Sequence, residues 1–156
     1  MKPTLRISVL VSRLVIVCGV FASGSMARAD SWDNKDGVCS NRMLRGDYGV
    51  TIEGQILAGP KAGPVRGVSM VHFDGRGEMR QVDHVVINGV PPPGEWSPAS
   101  GTYTVNSDCT GKATLMFTDG RPPINMKLVV INLGKGIYTV TSELNIAATS
   151  IGTRVE

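Results

Sequence analysis

The sequence contains little of what most enzymes use for catalysis. Only two histidines and three cysteines occur in 156 residues, and aromatic residues make up 5% of the chain. It has no G-x-S-x-G elbow, phosphate-binding glycine loop, H-E-x-x-H pair or dinucleotide-binding fingerprint. The glycine-rich turn Asp74–Gly77 has too few carboxylates for a calcium loop. These absences argue against the common hydrolases, nucleotide-binding enzymes and metal-dependent peptidases, and we expect neither a metal nor a cofactor.

The chain also lacks a basic stripe of the kind that binds nucleic acid. Four of the 16 basic residues, and none of the 13 acidic residues, precede Asp30. The 127 residues from Asp30 onward therefore carry 12 basic and 13 acidic residues, a net charge of −1, with the basic residues scattered singly. A nucleic acid is therefore not an expected partner.

Residues 1–29 have the three-part pattern of a secretory signal peptide. Basic residues without acidic ones come first, the small or apolar run Leu14–Ala22 follows, and Ala27-Arg28-Ala29 is a typical cleavage signature. The run is too short to span a bilayer comfortably and no second run follows, which disfavours a transmembrane anchor. Because Val17 precedes Cys18, a lipoprotein is also disfavoured. We predict export, to the periplasm or the exterior, with cleavage after Ala29 and no membrane span in the mature protein.

Two cysteines, Cys39 and Cys109, remain after the leader is removed. An even number in an oxidising compartment favours one disulfide. A metal site would need further ligands at suitable spacing, and a catalytic thiol would need a nearby base. Neither cysteine has such neighbours in the sequence.

Alternating runs of β-forming residues, separated by Gly, Asp, Asn and Pro, dominate the remainder of the chain. We divide the chain into a leader (1–29), an N-terminal segment (30–45) with a short helix over Asp36–Leu44, and a β-domain (46–156). The predicted strands are Tyr48–Leu57, Val65–Phe73, Glu78–Ile87, Ser100–Val105, Lys112–Phe117, Ile124–Ile131, Ile137–Glu143 and a short one near Ser150–Val155.

Hairpin-length connections and glycines within strands favour a strongly bent sheet. The pattern G-x-Y-x-V occurs at Gly46–Val50, Gly101–Val105 and Gly136–Val140. Its period of two places Gly, Tyr and Val on one face, where an aromatic ring can cover the space beside a glycine. We therefore predict an all-β fold, an eight-stranded antiparallel up-and-down β-barrel that is closed or nearly closed, in preference to a small sandwich.

The segments that carry a resemblance to known proteins are Cys39-Ser40, Leu44–Gly49, Val71–Gly77, Gly101–Gly111 and Phe117–Gly120. Together they resemble a family of exported bacterial proteins with an allene-oxide-cyclase-like barrel domain, within the calycin-like barrels. The resemblance implies the barrel fold and a Cys39–Cys109 bridge, and by analogy it raises a trimer as one form of homo-oligomer. It does not carry over the cyclase reaction, because its catalytic positions have no match here.

The histidines are the first candidates for catalysis. His72 and His84 lie on strands predicted to pair through the Asp74–Gly77 turn, with Asp83 beside the second histidine. They could form a general acid–base pair, or a metal site with Asp83 or Glu53. If Phe73 pairs with Glu78, His84 faces the side of Phe73 and His72 faces the other side. The alternative is two histidines on solvated strand faces.

The first strand offers a carboxylate whose role depends on which face lines the barrel. The apolar set that includes Tyr48 is expected inside, with Glu53 in water. The alternative, for an oligomer with an apolar exterior, puts Glu53 in the cavity as an acid–base group and Arg66 beside an anionic ligand group. Further candidates for ligand contact are Trp96, Tyr103 and Tyr138.

Taken together, these patterns predict an exported barrel that binds a small, largely apolar molecule in its cavity. One alternative is an isomerase or cyclase that acts on a reactive small molecule inside the barrel. Another is a structural or interaction module with a filled core. A roomy cavity with an ionisable residue of shifted pKa would favour catalysis, and an apolar outer stripe would indicate a homo-oligomer.

Overall fold

The computed structural model describes residues 39–156, and the predicted signal peptide lies outside this range. Almost all of the described chain is β-structure. Two short 3-10 turns, Asn41–Met43 and Asn132–Gly134, are the helical elements among these residues. The strands are β1 (Arg45–Ile56), β2 (Gly63–Asp74), β3 (Glu78–Ile87), β4 (Ser97–Val105), β5 (Thr110–Phe117), β6 (Ile124–Ile131), β7 (Gly136–Thr141) and β8 (Ile146–Arg154).

The eight strands form one closed barrel in sequence order, each antiparallel to its neighbours. Closure comes from β1 and β8, whose pairing runs from Tyr48↔Arg154 to Ile56↔Ile146. The predicted all-β, eight-stranded antiparallel barrel is therefore confirmed. Because all connections are hairpins, they alternate between the two ends, and the two ends can be described separately.

Strand boundaries follow the sequence pattern where alternation is strong. The predicted bounds of β3 and β6 agree with the structure, whereas β8 starts at Ile146, four residues earlier than predicted. Its sequence IAATSIGTR is rich in small residues and has weak alternation, so its pairing with β1 and β7 defines it. The helix predicted over Asp36–Leu44 is a three-residue 3-10 turn in its described part, and Asp36 to Val38 lie outside the described residues.

One end of the barrel is filled by buried side chains from the N-terminal segment and the adjoining strands. Leu44 and Tyr48 are fully buried, and the Tyr48 hydroxyl donates a hydrogen bond to the Gly134 carbonyl of the β6–β7 connection. The Tyr103 hydroxyl donates to the Leu44 carbonyl at 2.9 Å. Phe73 lies between the two tyrosines, edge-on to both rings. We call this the sealed end.

A disulfide between Cys39 and Cys109 fixes the N-terminal segment to the β4–β5 turn at the sealed end, as predicted. The two Cα atoms are 5.0 Å apart. The Cys39 amide also donates to the Ser107 carbonyl at 3.4 Å. Cys109 has a φ of 68°, because it occupies the left-handed position of a tight turn in which its amide donates to Asn106. The bridge thus joins the segment over the sealed end to the barrel wall.

The three G-x-Y-x-V segments do not share one orientation. Tyr48 and Tyr103 point into the core, whereas Tyr138 is exposed on the outer face of β7. The reason is the register of β7: Ile137 pairs with the buried Val130 and takes the inward position instead. The expectation that the tyrosine ring covers the space beside a glycine in the bent sheet therefore does not hold inside the barrel for the third segment.

Among the described residues, none of the helices is long and apolar enough to cross a membrane.

Candidate functional site

A cavity of about 180 Å³ occupies the part of the barrel away from the sealed end. Its wall is mostly apolar, and Phe73 and Met79 lie towards the sealed end. The cavity reaches the strand ends next to the β1–β2, β3–β4, β5–β6 and β7–β8 loops, which we call the mouth. Residues that line it near the mouth are Ile56, Val65, Ile87, Phe117, Arg121, Ile124 and Ile146.

A buried carboxyl group faces this apolar cavity. Asp83 is 4% exposed and lies on the inward face of β3, directly opposite the buried Ser69 of β2. The Gln81 side-chain amide donates to Asp83 Oδ2 at 2.9 Å. None of the ion pairs found among residues 39–156 involves Asp83. The cavity therefore holds an unpaired acid with one amide partner and a neighbouring hydroxyl.

Burial raises the pKa of Asp83 above its ordinary value of 3.8. The charged form loses its hydration in the apolar wall, and no adjacent cation replaces it. The hydrogen bond from Gln81 and the more distant charge of Arg121 act in the opposite direction. A raised pKa makes a carboxyl group easier to protonate, and its protonated form can donate a hydrogen bond as well as accept one. Asp83 is therefore the described residue best suited to bind or protonate an oxygen atom inside the cavity.

A second polar group lies on the wall formed by β7 and β8. The Thr139 and Ser150 hydroxyls are 2.6 Å apart and both line the cavity. The Thr141 hydroxyl, nearer the mouth, donates to the Ile146 carbonyl at 2.9 Å. Because β3 and β7 are separated by three strands on either side of the barrel, the Asp83 group and the hydroxyl pair belong to opposite walls. A molecule in the cavity would have polar atoms available on two sides.

Arg121 lies at the mouth, in the β5–β6 loop. Its Nε donates to both carboxylate oxygens of Asp119, at 2.8 and 3.0 Å. Its guanidinium carbon is 3.9 Å from the centre of the Phe117 ring, which is a cation–π distance. Asp119 in turn has a pKa below its ordinary value, because the Arg121 backbone amide donates to it and the Arg121 charge is close. The β5–β6 loop thus places an Arg121–Asp119 ion pair at the mouth.

The two histidines lie on the outer surface, not in the cavity. Phe73 pairs with Met79 rather than with Glu78, so that His84 lies opposite Val68, on the same outward face as His72. The register with Glu78 opposite Phe73 is therefore wrong. The histidines are four positions apart along the pair, about 13 Å. His72 Nδ1 is 2.7 Å from Asp47, and His84 Nδ1 is 2.8 Å from the Glu95 carbonyl, so the structure does not bring the two together.

Glu53 and Arg66 also lie outside the barrel. They are directly opposite each other on β1 and β2, their side chains are 70% and 62% exposed, and the nearest charged atoms are 4.0 Å apart. Tyr48 and Val50 of the same strand are buried. The arrangement with Glu53 in the cavity is therefore wrong, because the apolar face of β1 is the inner one.

The three aromatic candidates occupy three different environments. Trp96 lies at the mouth end, just before β4, half-exposed and edge-on to the His84 ring. Tyr103 is buried at the sealed end, where its hydroxyl is already bonded to backbone carbonyls. Tyr138 is on the outer surface. Of these three, Trp96 is the one near the cavity opening, and it does not line the cavity.

Sequence reasoning named Asp83 as a neighbour of His84 and as a possible metal ligand, and it missed the position of Asp83 in the cavity wall. The register of the β2–β3 hairpin would have revealed it. Asp74 Oδ1 accepts hydrogen bonds from the amides of Arg76, Gly77 and Glu78, which makes the connection one residue longer than assumed. With that extra residue, the odd-numbered positions of β3 face inward, Asp83 among them.

Residues 39–156 contain no group of three or more His, Cys, Asp or Glu side chains placed to hold a metal ion. The polar groups that line the cavity are one carboxyl, one amide, several hydroxyls and, at the mouth, the Arg121 guanidinium, a set suited to an organic molecule. Comparison with protein-family models, with curated proteins and with solved structures found no match to this chain.

Proposed function

We propose that this protein binds a small, largely apolar molecule that carries an oxygen atom, and that the barrel cavity is the site. The observation that supports this is an apolar cavity with one unpaired, buried carboxyl group in its wall. An apolar cavity of about 150 Å³ can hold a benzene molecule. The cavity here, at about 180 Å³, therefore suits a molecule of at least that size.

The polar groups give the proposed ligand its chemistry. Asp83 in its neutral form donates to a carbonyl, ether or hydroxyl oxygen, while Gln81 keeps the other carboxyl oxygen occupied. The apolar wall supplies most of the affinity, at about 25 cal/mol per Å² of ligand surface removed from water. An anionic ligand group would be disfavoured beside Asp83, because the apolar wall would not replace the hydration that the anion loses.

Two experiments test the proposal. Native mass spectrometry of protein purified from its own host should show a retained small molecule. In a second experiment, cyclohexanone is titrated into the emptied protein and followed by NMR. Ala148→Leu fills part of the cavity and should weaken binding, whereas Ala147→Leu, on the exposed face of the same strand, should not. Equal affinities for the two variants, or no binding by the wild type, would contradict the proposal.

A second candidate is an isomerase or cyclase in which Asp83 transfers a proton to or from the bound molecule. The raised pKa of Asp83 favours it, because a general acid is most effective when its pKa approaches the working pH. It also agrees with the resemblance to allene-oxide-cyclase-like barrels, which remains a proposal for this chain. The test is to incubate the recovered molecule with protein in D₂O. Isomerisation or deuterium uptake by wild type and not by Asp83→Asn would support catalysis, and no change with either would support binding alone.

A module with a filled core receives less support, since space remains inside the barrel. We also propose export with cleavage after Ala29, which the disulfide supports and N-terminal sequencing of the mature protein would test. Self-association is a further proposal. Val129, Tyr138 and Ile151 are exposed and lie side by side on the outer face of β6, β7 and β8. Sedimentation of wild type against Ile151→Lys would test it.

A further inference from the structure

Large apolar side chains are exposed on the loops that surround the mouth. Leu57 follows β1 and is 58% exposed, Val90 and Trp96 of the β3–β4 loop are 67% and 50% exposed, and Leu144 of the β7–β8 loop is 92% exposed. While they are exposed to water, these side chains contribute little burial free energy to folding. We call these four residues the apolar rim.

Two members of the apolar rim are close in the chain to residues of the cavity wall. Leu57 directly follows Ile56, and Leu144 is two residues before Ile146, both of which line the cavity. The Leu57 amide donates to the Asn145 carbonyl at 2.8 Å, which holds the two leucine-bearing loops together. On two of the four mouth loops, an exposed leucine thus stands within two residues of the cavity lining.

The charges on the same loops are nearly balanced. Lys61 and Arg121 are opposed by Glu95, Asp119 and Glu143, and Arg121 is already paired with Asp119. The Glu143 carboxylate accepts hydrogen bonds from the Asn125 amide and side chain, at 2.8 and 2.7 Å. A surface with apolar tips and little net charge matches a zwitterionic lipid surface, and it is not attracted strongly to a charged partner.

We propose that the apolar rim inserts into the interfacial region of a lipid bilayer, with the mouth of the barrel facing the lipid. The tips are separate side chains on neighbouring loops, an arrangement that can enter a soft lipid surface without a complementary protein pocket. An apolar ligand is concentrated in lipid, so this orientation would let it pass between bilayer and cavity without crossing water. The proposal goes beyond ligand binding, and its failure would leave the cavity assignment intact.

Tryptophan fluorescence tests insertion at the rim itself. The chain has two tryptophans, Trp32 and Trp96. In Trp32→Phe protein, the emission of Trp96 should shift to shorter wavelength on addition of phosphatidylcholine vesicles, and lipids brominated on the acyl chains should quench it. Quenching reports the position of Trp96, whatever contact residues 1–38 make with the vesicle.

Variants at the two ends of the barrel provide a matched comparison. Leu57→Ser and Leu144→Ser should each weaken vesicle partitioning about tenfold. Leu133→Ser is the control, because Leu133 is 81% exposed but lies in the β6–β7 connection at the sealed end. The proposal would be overturned by unquenched Trp96 emission, by an equal loss with Leu133→Ser, or by binding to anionic vesicles alone. A rim variant that changes the sedimentation coefficient but not vesicle partitioning would also overturn the proposal, because the rim would then bind a second copy of the chain and not lipid.

Discussion

The buried carboxyl of Asp83 should make folding stability depend on pH in the direction opposite to that of most native carboxyls. Its folded pKa is raised above 3.8, so the folded state keeps a proton that the unfolded chain releases. The contribution of Asp83 to the free energy of unfolding is fully present below about pH 3.9, and it is lost as the pH rises towards the folded pKa. For one proton the slope cannot exceed about 1.4 kcal/mol per pH unit.

Replacement of Asp83 by asparagine isolates this effect. Asparagine keeps an oxygen that accepts the Gln81 hydrogen bond at 2.9 Å and has no charge to bury. The free energy of unfolding of Asp83→Asn, minus that of wild type, should therefore increase from about pH 4 upward and then level off. Urea unfolding at intervals between pH 3 and pH 8, with the disulfide intact and followed by circular dichroism, measures this difference.

Asp119→Asn is the control of opposite sign. Asp119 is exposed and its pKa is lowered, chiefly by the hydrogen bond from the Arg121 amide. Its contribution to stability is present above its unfolded pKa and is lost on acidification, so the variant should lose stability at neutral pH. A difference for Asp83→Asn that does not change with pH, or that has the same sign as the control, would refute the placement of an uncompensated acid inside the barrel.

Three further predictions concern the sealed end, and urea unfolding checks each. Replacement of Cys39 and Cys109 by serine should lower the free energy of unfolding by about 4 kcal/mol, because the disulfide closes a 70-residue separation; unchanged stability would argue against the bridge. Leu44→Ala should lower the free energy of unfolding by about 2–5 kcal/mol, since Leu44 is fully buried. A decrease below about 1 kcal/mol would contradict its burial. Tyr103→Phe should lower the free energy of unfolding by about 1–3 kcal/mol, because the buried Leu44 carbonyl loses its hydrogen-bond donor. The decrease should be the same at every pH below the Tyr103 pKa of about 12, and a decrease confined to one pH range would contradict this reason.

The sequence was most informative about the fold. Alternation predicted the bounds of β3 and β6, and turn residues predicted most of the hairpins. The even number of cysteines after the leader, and the compartment that the leader suggests, predicted the disulfide. The strand bounds and the turns are local features, since each depends on residues within one strand or one turn.

The candidate site was less predictable because it depends on register. In β3 both faces carry polar and apolar residues, so that alternation alone does not tell whether Asp83 or His84 faces inward. Three amide hydrogen bonds to Asp74 decide the question, and the side-chain pattern does not reveal them. The outward Tyr138 has a similar cause, because the β6–β7 connection fixes which residues of β7 meet β6.

The cavity opens at the mouth, because the other end of the barrel is closed by the disulfide, the buried Leu44 and the hydrogen-bonded tyrosine hydroxyls. Any molecule inside must leave by the route through which it came, and a newcomer cannot push past it. Ligand exchange is therefore limited by a first-order dissociation step. A higher competitor concentration would speed the refilling of an empty cavity but would not raise the dissociation rate of the bound molecule.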